Sequence, residues 1–154
     1  NFMSYLIHSV WQQEIWDSNQ RAMKYIYQYL GGPLEVQGAG SKVMIVASGC
    51  AAAQAREAHR YAQEEGLDVG FVKVKAIRPW PKNEINEALA GSECVIVPEH
   101  NIIGWLCKEV KASIPNSGIV TEGPRVYGGM TLPVELIMTE IYDALGMESE
   151  ILQA

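Results

Sequence analysis

Between Gly40 and Asn101 the hydrophobic residues form three strand-like runs that alternate with two helical runs. Val43–Ala47 is an unbroken apolar run, which is typical of a strand covered on both faces of a parallel sheet. The helical runs carry apolar residues at spacings of three and four, and Gly66 ends the first of them. This alternation predicts an open α/β sheet with right-handed crossovers. The predicted strands are 43–47, 69–75 and 93–97, and the predicted helices are 50–65 and 82–89.

The flanking segments add helices and two short strands to this pattern. An amphipathic helix is predicted from Gln12 to Leu30, where Gly31, Gly32 and Pro33 end it. In the last helix, Pro133 is expected in the first turn, where a missing N–H costs nothing. The remaining expectations are an edge strand at 34–37, a helix over 104–113 with Trp105, Leu106 and Val110 facing inward, a strand at 119–120, a glycine-rich loop over 122–131, and a helix over 132–145 with Val134, Leu136, Ile137, Ile141 and Leu145 facing inward.

Two large aromatic residues, Trp11 and Trp16, stand near the start of the first predicted helix. The simpler interpretation is that both cover the edge of the core. The alternative is that one of them faces a partner subunit or an upstream domain, because exposed aromatic residues tend to mark such surfaces.

Composition narrows the class of protein. The chain has 154 residues, a length suited to one core, and its formal charge of −6 argues against nucleic acid as a partner. No apolar run is long enough to span a membrane, and the start of the chain lacks the basic residues of a signal peptide. The three cysteines show no C-x-x-C spacing, so we expect reduced thiols that hold no metal in a cytoplasmic protein.

Candidate chemistry lies in the loops at the carboxyl ends of the strands, where open α/β sheets bind ligands. Residues 48–50 could hold an anion at a helix start, but no dinucleotide or Walker-type glycine motif is present. A Cys107–His100 pair is a poor nucleophile candidate, since Cys107 follows two apolar residues inside a helix. His59 is expected to be exposed, and three scattered histidines offer no metal site. The residues alone therefore predict no catalytic, cofactor-binding or metal-binding residue.

Several short stretches nevertheless resemble one enzyme family. They are Val43–Gly49, Arg56-Glu57-Ala58, Gly66, Ile77-Arg78-Pro79-Trp80-Pro81, Val95–Asn101 with Gly104, and Gly128–Leu136. In this order they resemble the second domain of the α subunit of 2-oxoacid:ferredoxin oxidoreductases, which is similar to the carboxy-terminal domain of transketolase. The resemblance covers about residues 20–142. Trp80 stands where relatives commonly have Phe, which leaves the P-x-P pattern intact.

The resemblance implies a three-layer α/β/α sandwich with a mostly parallel open sheet of about five strands and one antiparallel edge strand, a role that 34–37 could fill. It implies a connector helix segment at 1–33, a transketolase carboxy-terminal-like domain at 34–146 and an acidic tail at 147–154. The whole enzyme uses thiamine diphosphate, magnesium and iron–sulfur clusters to convert a 2-oxoacid into an acyl-coenzyme A.

In that family the cofactor lies between other domains, so this chain is expected to bind no thiamine diphosphate, magnesium or iron–sulfur cluster and to be inactive alone. Its implied role is that of a structural and interface domain. The implied partners are an upstream thiamine-binding domain, a β subunit and a ferredoxin-type subunit. The alternatives are a freestanding flavodoxin-like binding or interaction domain, and the carboxy-terminal domain of a transketolase or 2-oxoacid dehydrogenase.

The loop after the third strand, residues 98–101, is the main candidate for contact with a partner. Polar side chains have no need to follow a buried strand in a merely solvated turn. The alternative is that Glu99 and Asn101 only cap the helix near Gly104, since Asn is a preferred N-cap residue. The full set of candidate interface residues is Glu99, His100, Asn101, Arg125, Tyr127, Trp11 and Trp16.

Overall fold

The computed structural model describes the backbone of residues 2–147 and the side chains of residues 8–147. Helices and strands alternate through most of this length. In chain order the elements are α1 (Phe2–Tyr29), β1 (Leu34–Gln37), β2 (Val43–Ser48), α2 (Ala51–Glu64), β3 (Val69–Val74), α3 (Lys82–Ala88), β4 (Cys94–Glu99), α4 (Trp105–Ser113), a 3-10 turn (Ser117–Ile119), β5 (Val120–Arg125) and α5 (Val134–Ala144).

The five strands form one sheet in the order β1-β3-β2-β4-β5. β1 pairs antiparallel with β3, with Leu34 opposite Val74, and the other pairs are parallel. Helices α2 and α5 pack together on one face, whereas α3 and α4 pack together on the other. The predicted α/β sandwich with one antiparallel edge strand is therefore confirmed.

The central strand β2 explains why the sequence carries an unbroken apolar run. Val43, Ile45 and Ala47 face the core beneath α2 and α5. Met44 and Val46 face the core beneath α3 and α4. All five side chains are fully buried. A strand covered on both faces leaves no position for a polar residue, so its periodicity of two is invisible in the sequence.

Strand β5 is longer than the predicted pair of residues and begins one residue later. It runs to Arg125, so Arg125 belongs to a strand and not to the glycine-rich loop. The sequence does not indicate the full length of this strand, because Gly123 and Pro124 both have low strand propensity. β5 is an edge strand, where proline is tolerated. A Cβ atom on Gly123 would lie only 2.8 Å from the backbone nitrogen of Pro98, so glycine permits this close pairing.

Three further side-chain orientations and the predicted start of α5 are also wrong. Trp105 is 42% exposed, since the first turn of α4 directs it toward Arg78, whose guanidinium carbon lies 4.5 Å from the ring centroid. Leu136 is also exposed on α5. That helix starts at Val134, with extended backbone at Pro133, so the proline precedes the first turn.

The fourth correction concerns His59, which is buried although we expected exposure. It follows Ala55 and Ala58 on the apolar face of α2, and its ring lies 6.0 Å from that of Phe71. Burial lowers the pKa of His59, because the charged imidazolium loses its hydration.

Helix α1 consists of two parts that differ in packing. It begins at Phe2, well before the predicted Gln12. Its last turns are half-buried against the domain, where the Tyr27 hydroxyl donates a hydrogen bond to the Pro79 carbonyl at 3.1 Å. Residues 8–21 are exposed, and Trp11 and Trp16 are 62% and 61% exposed. The interpretation that these tryptophans cover the edge of the core is therefore wrong. The expected acidic tail, apart from Met147, lies outside the described residues.

Candidate interface at the carboxyl edge of the sheet

The loops that follow β2, β3 and β4 border an open cleft of about 250 Å³ at the carboxyl edge of the sheet. Residues 48–51 form one wall, at the start of α2. Residues 98–101 form the other, with Ile77, Trp105 and Leu106 completing the lining. The candidate loops were predicted to lie at this edge, and the structure brings two of them, residues 48–51 and 98–101, together around the cleft.

Glu99 is the buried centre of this region, with only 4% of its surface exposed. Its Oε1 atom accepts hydrogen bonds from the Leu106 N–H at 2.7 Å and from the Asn101 side-chain amide at 2.7 Å. Its Oε2 atom accepts one from the Cys107 N–H at 3.1 Å. The carboxylate thus satisfies backbone donors that the first turn of a helix leaves without intrahelical partners.

Asn101 continues the same cap. Its Oδ1 atom accepts from the Gly104 N–H at 2.8 Å, with a longer contact of 3.4 Å from the Trp105 N–H. A negative carboxylate and an amide oxygen at a helix N-terminus complement both the orphan donors and the helix dipole. The capping role of Glu99 and Asn101 is therefore confirmed, while their role in contacting a partner stays a prediction.

Arg125 fixes the loop between Asn101 and α4 from the neighbouring strand. Its guanidinium donates to the Ile102 carbonyl at 2.7 Å and pairs with Glu122. Gly104 has a φ of +60°, and a Cβ atom there would lie 3.2 Å from the Arg125 Nη1 atom. Glycine at this position therefore allows both the left-handed backbone and the approach of the arginine.

The remaining candidates at this edge, His100 and Tyr127, take no part in the cap of α4. His100 is half-buried and lines the cleft, and within the described structure its Nε2 atom is buried with no hydrogen-bond partner. Tyr127 is 61% exposed in the loop after β5. Five of the seven candidate residues, Glu99, His100, Asn101, Arg125 and Tyr127, therefore lie in the segments that end or follow β4 and β5.

Trp11 and Trp16 lie elsewhere, on the exposed part of α1. Trp16 borders a separate groove of about 750 Å³ between α1 and the start of α3. Met23, Ile26, Pro79 and Trp80 supply the apolar part of that groove. The candidate residues therefore belong to two distinct surfaces.

Sequence reasoning missed the apolar residues at the carboxyl edge. Ile102 is 65% exposed and Ile103 is 60% exposed, between the capping residues and Gly104. Met130, in the loop after β5, is also exposed. The available signal was an Ile-Ile pair inside an otherwise polar loop, where isoleucine has no core to enter.

The described residues present no catalytic constellation at this edge. Burial raises the pKa of the Cys107 thiol, which disfavours the reactive thiolate. No three His, Cys, Asp or Glu residues cluster as a metal site anywhere in the part of the chain that the structure describes. These described side chains therefore offer no ligand set for a magnesium ion or an iron–sulfur cluster. Within the same residues, none of the helices has the length and apolar character needed to cross a membrane.

Comparison with known proteins gives related sequences and folds. The chain is 28% identical over 105 residues to pyruvate synthase subunit PorA of Methanosarcina barkeri, covering 63% of this chain and 26% of the relative. It is 26% identical over 95 residues to 2-oxoglutarate synthase subunit KorA of Methanothermobacter marburgensis, covering 62% and 25%. The chain thus spans about a quarter of the length of these relatives.

Solved structures agree with these relatives. A 2-oxoglutarate:ferredoxin oxidoreductase from Magnetococcus marinus, solved with 2-oxoglutarate, coenzyme A and succinyl-CoA, matches with a TM-score of 0.64 and 27% identity. The match covers 73% of this chain and 19% of that one. A split-gene transketolase has the same fold, with a TM-score of 0.52 at 23% identity over 71% of this chain and 40% of its own.

The family comparison covers the sheet from β2 to β5 and the helices between these strands. The model of pyruvate:ferredoxin oxidoreductase core domain II matches residues 41–136, which is more than half of the chain. This chain therefore belongs to the family of pyruvate:ferredoxin oxidoreductase core domain II.

Proposed function

We propose that this chain acts as a structural and subunit-interface domain of a 2-oxoacid:ferredoxin oxidoreductase. The observation that carries the proposal is the family match over residues 41–136, which spans four of the five strands. The two relatives are named as subunits of a pyruvate synthase and of a 2-oxoglutarate synthase. The reaction of the whole enzyme is oxidative decarboxylation of a 2-oxoacid to an acyl-CoA.

In this proposal the catalytic groups come from other parts of the enzyme. Thiamine diphosphate and magnesium are held by an upstream domain and a β subunit, and the clusters by a ferredoxin-type subunit. Residues 1–33 connect to the upstream domain, residues 34–146 form the core domain, and residues 147–154 follow it as an acidic tail. The assembled enzyme works in the cytoplasm.

Two surfaces support an interface role. The first is the carboxyl edge, with Arg125 and Tyr127 beside the loop of Glu99, His100 and Asn101. The second is the exposed part of α1, with Trp11 and Trp16. Large exposed aromatic residues on a helix are costly to leave in water and are enriched at protein interfaces.

Determining the full gene tests the proposal first. We expect an upstream region that encodes a thiamine diphosphate-binding domain, and a neighbouring gene for a ferredoxin-type protein. A gene that encodes this α/β domain alone, without such neighbours, would contradict the proposal and favour a freestanding binding domain.

Calorimetry of this chain with thiamine diphosphate and Mg²⁺ tests the assignment of the cofactor to other domains. We expect no saturable heat, because the described residues show no diphosphate-binding motif and no cluster of metal ligands. Micromolar binding would contradict the assignment. Ferredoxin reduction by the assembled enzyme, with pyruvate and with 2-oxoglutarate in parallel, then identifies the substrate.

A further inference from the structure

The isoleucine loop, defined as residues 100–104, presents two apolar side chains from a fixed backbone. Asn101 holds the Gly104 N–H at one end, and Arg125 holds the Ile102 carbonyl in the middle. Ile102 and Ile103 are nevertheless 65% and 60% exposed. A loop that is held by hydrogen bonds loses little conformational entropy when a partner covers it, which favours binding.

The neighbouring loop after β5 also carries exposed apolar residues. Tyr127 and Met130 lie in the loop after β5, and both are more than 60% exposed. β4 and β5 are neighbouring parallel strands with Glu99 opposite Arg125, so the two loops leave the same edge of the sheet side by side. Four exposed apolar residues in two adjacent loops indicate an interaction surface, whereas single ones do not.

Three charged groups that hold or flank the isoleucine loop are already engaged within the chain. Arg125 pairs with Glu122, and Arg78 pairs with Glu109 at 3.0 Å. The Glu99 carboxylate is buried and accepts three hydrogen bonds. These three groups therefore need no countercharge from a partner, and a partner that placed an unpaired charge against the isoleucines would lose its hydration without compensation.

We propose that Ile102 and Ile103 insert into an apolar hollow on another subunit of the assembled oxidoreductase, and that Glu99, Asn101 and Arg125 act by holding the loop that presents them. This inference rests on the proposed function, and both relatives are subunits by name. It also changes the roles expected from the sequence, since the polar residues shape the contact and the isoleucines make it. A lipid surface is disfavoured by the net charge of −6, which repels anionic headgroups.

The test compares binding of the full-length subunit and of its Ile102→Ser/Ile103→Ser variant to the purified remaining subunits of the oxidoreductase. We expect the double variant to bind at least about tenfold more weakly, as for central apolar contacts of an interface. Its Tm should stay within about 2 °C of the wild type, because both side chains are exposed in the isolated chain. Val36→Ser is the matched control. Val36 is 40% exposed on β1, the outer strand on the far side of the sheet from β5.

Salt dependence sharpens the test. Because no new ion pair forms, the wild-type Kd should change less than about threefold between about 0.05 M and 0.5 M KCl, a range over which ion pairs between surfaces are strongly screened. A larger loss of affinity at high salt would overturn the apolar assignment.

Each remaining outcome is decisive. Equal binding by the double variant overturns the inference and leaves the proposed function standing, since the wild type has then joined the complex. Failure of the wild type to bind overturns both. If light scattering shows a wild-type dimer and the double variant is a monomer, the loop contacts a second copy of the chain. If only the wild type sediments with phosphatidylcholine–phosphatidylglycerol vesicles, the loop contacts lipid. Either result overturns the inference.

Discussion

The starts of α2 and α4 occupy equivalent places in the fold but are built differently. Each helix follows a central strand and begins at the carboxyl edge, on either side of one cleft. The first turn of α4 is capped by Glu99 and Asn101. At the start of α2, Cys50 is exposed and makes no side-chain capping bond.

This difference shows that polar residues after a strand do not by themselves identify a binding surface. At α4 they satisfy the helix, and the exposed residues beside them, Ile102 and Ile103, are apolar. At α2 the loop has small residues and leaves the helix start accessible from the cleft. The physical reason is the same in both places, since backbone N–H groups at a helix start need a partner outside the regular helical pattern. At α2 the backbone itself supplies part of it, because the Ala52 and Ala53 N–H groups donate to the Gly49 and Cys50 carbonyls at 3.3 and 3.2 Å.

The largest expected difference between the two starts is in thiol reactivity. Cys107 is 1% exposed in the first turn of α4, and burial raises its pKa, whereas Cys50 is exposed. We expect iodoacetamide to modify Cys50 at least about 100-fold faster in the folded chain, because Cys107 reacts only after local opening. Peptide mass spectrometry measures both rates. In about 8 M urea, which unfolds most domains of this size, the two rates should become similar. Similar rates in the folded chain would contradict the capped structure of α4.

Removing the buried carboxylate should cost the most stability. Glu99→Ala leaves the N–H groups of Leu106 and Cys107 without their acceptor, so we expect a loss of about 3 kcal/mol in the free energy of unfolding. Urea denaturation measures it. Glu99→Gln is the control, because its single amide oxygen preserves part of the cap and the loss should be smaller. A loss below about 1 kcal/mol for Glu99→Ala would show that the cap contributes little.

Asn101→Ala should cost about 1 kcal/mol, the usual value for loss of an N-cap side chain. The matched control is Asn116→Ala, since Asn116 precedes the 3-10 turn without a capping bond of its side chain. Thermal unfolding distinguishes them. Equal melting of the Asn101 variant and the wild type would show that this cap contributes little to the stability of the chain.

The smallest expected effect is a gain in stability at the start of α2, which has no side-chain cap. Cys50→Asp places a negative charge at the positive end of the helix, so we expect about 0.5 kcal/mol of added stability that declines with salt. Cys50→Asn is the neutral control. If both variants gain equally, hydrogen bonding and not charge explains the effect. A loss of stability with Asp would mean that the α2 start is already satisfied.

The sequence predicted the fold better than the site. Val43–Ala47 could be assigned to a central strand because burial on both faces demands apolar residues throughout. β5 was harder to predict, since Pro124 is tolerated because β5 is an edge strand, and Gly123 is needed because β5 approaches the backbone of Pro98 closely. Asn101 could be recognised as a cap from its residue type, but the partners of Glu99 lie seven and eight residues ahead, and no local rule connects them.

By itself the sequence determined the order of strands and helices, the family, and the positions of the loops at the carboxyl edge. Those features depend on local periodicity and on motifs that are written along the chain. The tertiary structure alone decided that Glu99 is buried, that His59 enters the core, and that Trp11 and the Ile102–Ile103 pair remain exposed. Burial depends on which other elements pack against a residue, and this neighbourhood exists only once distant segments have come together.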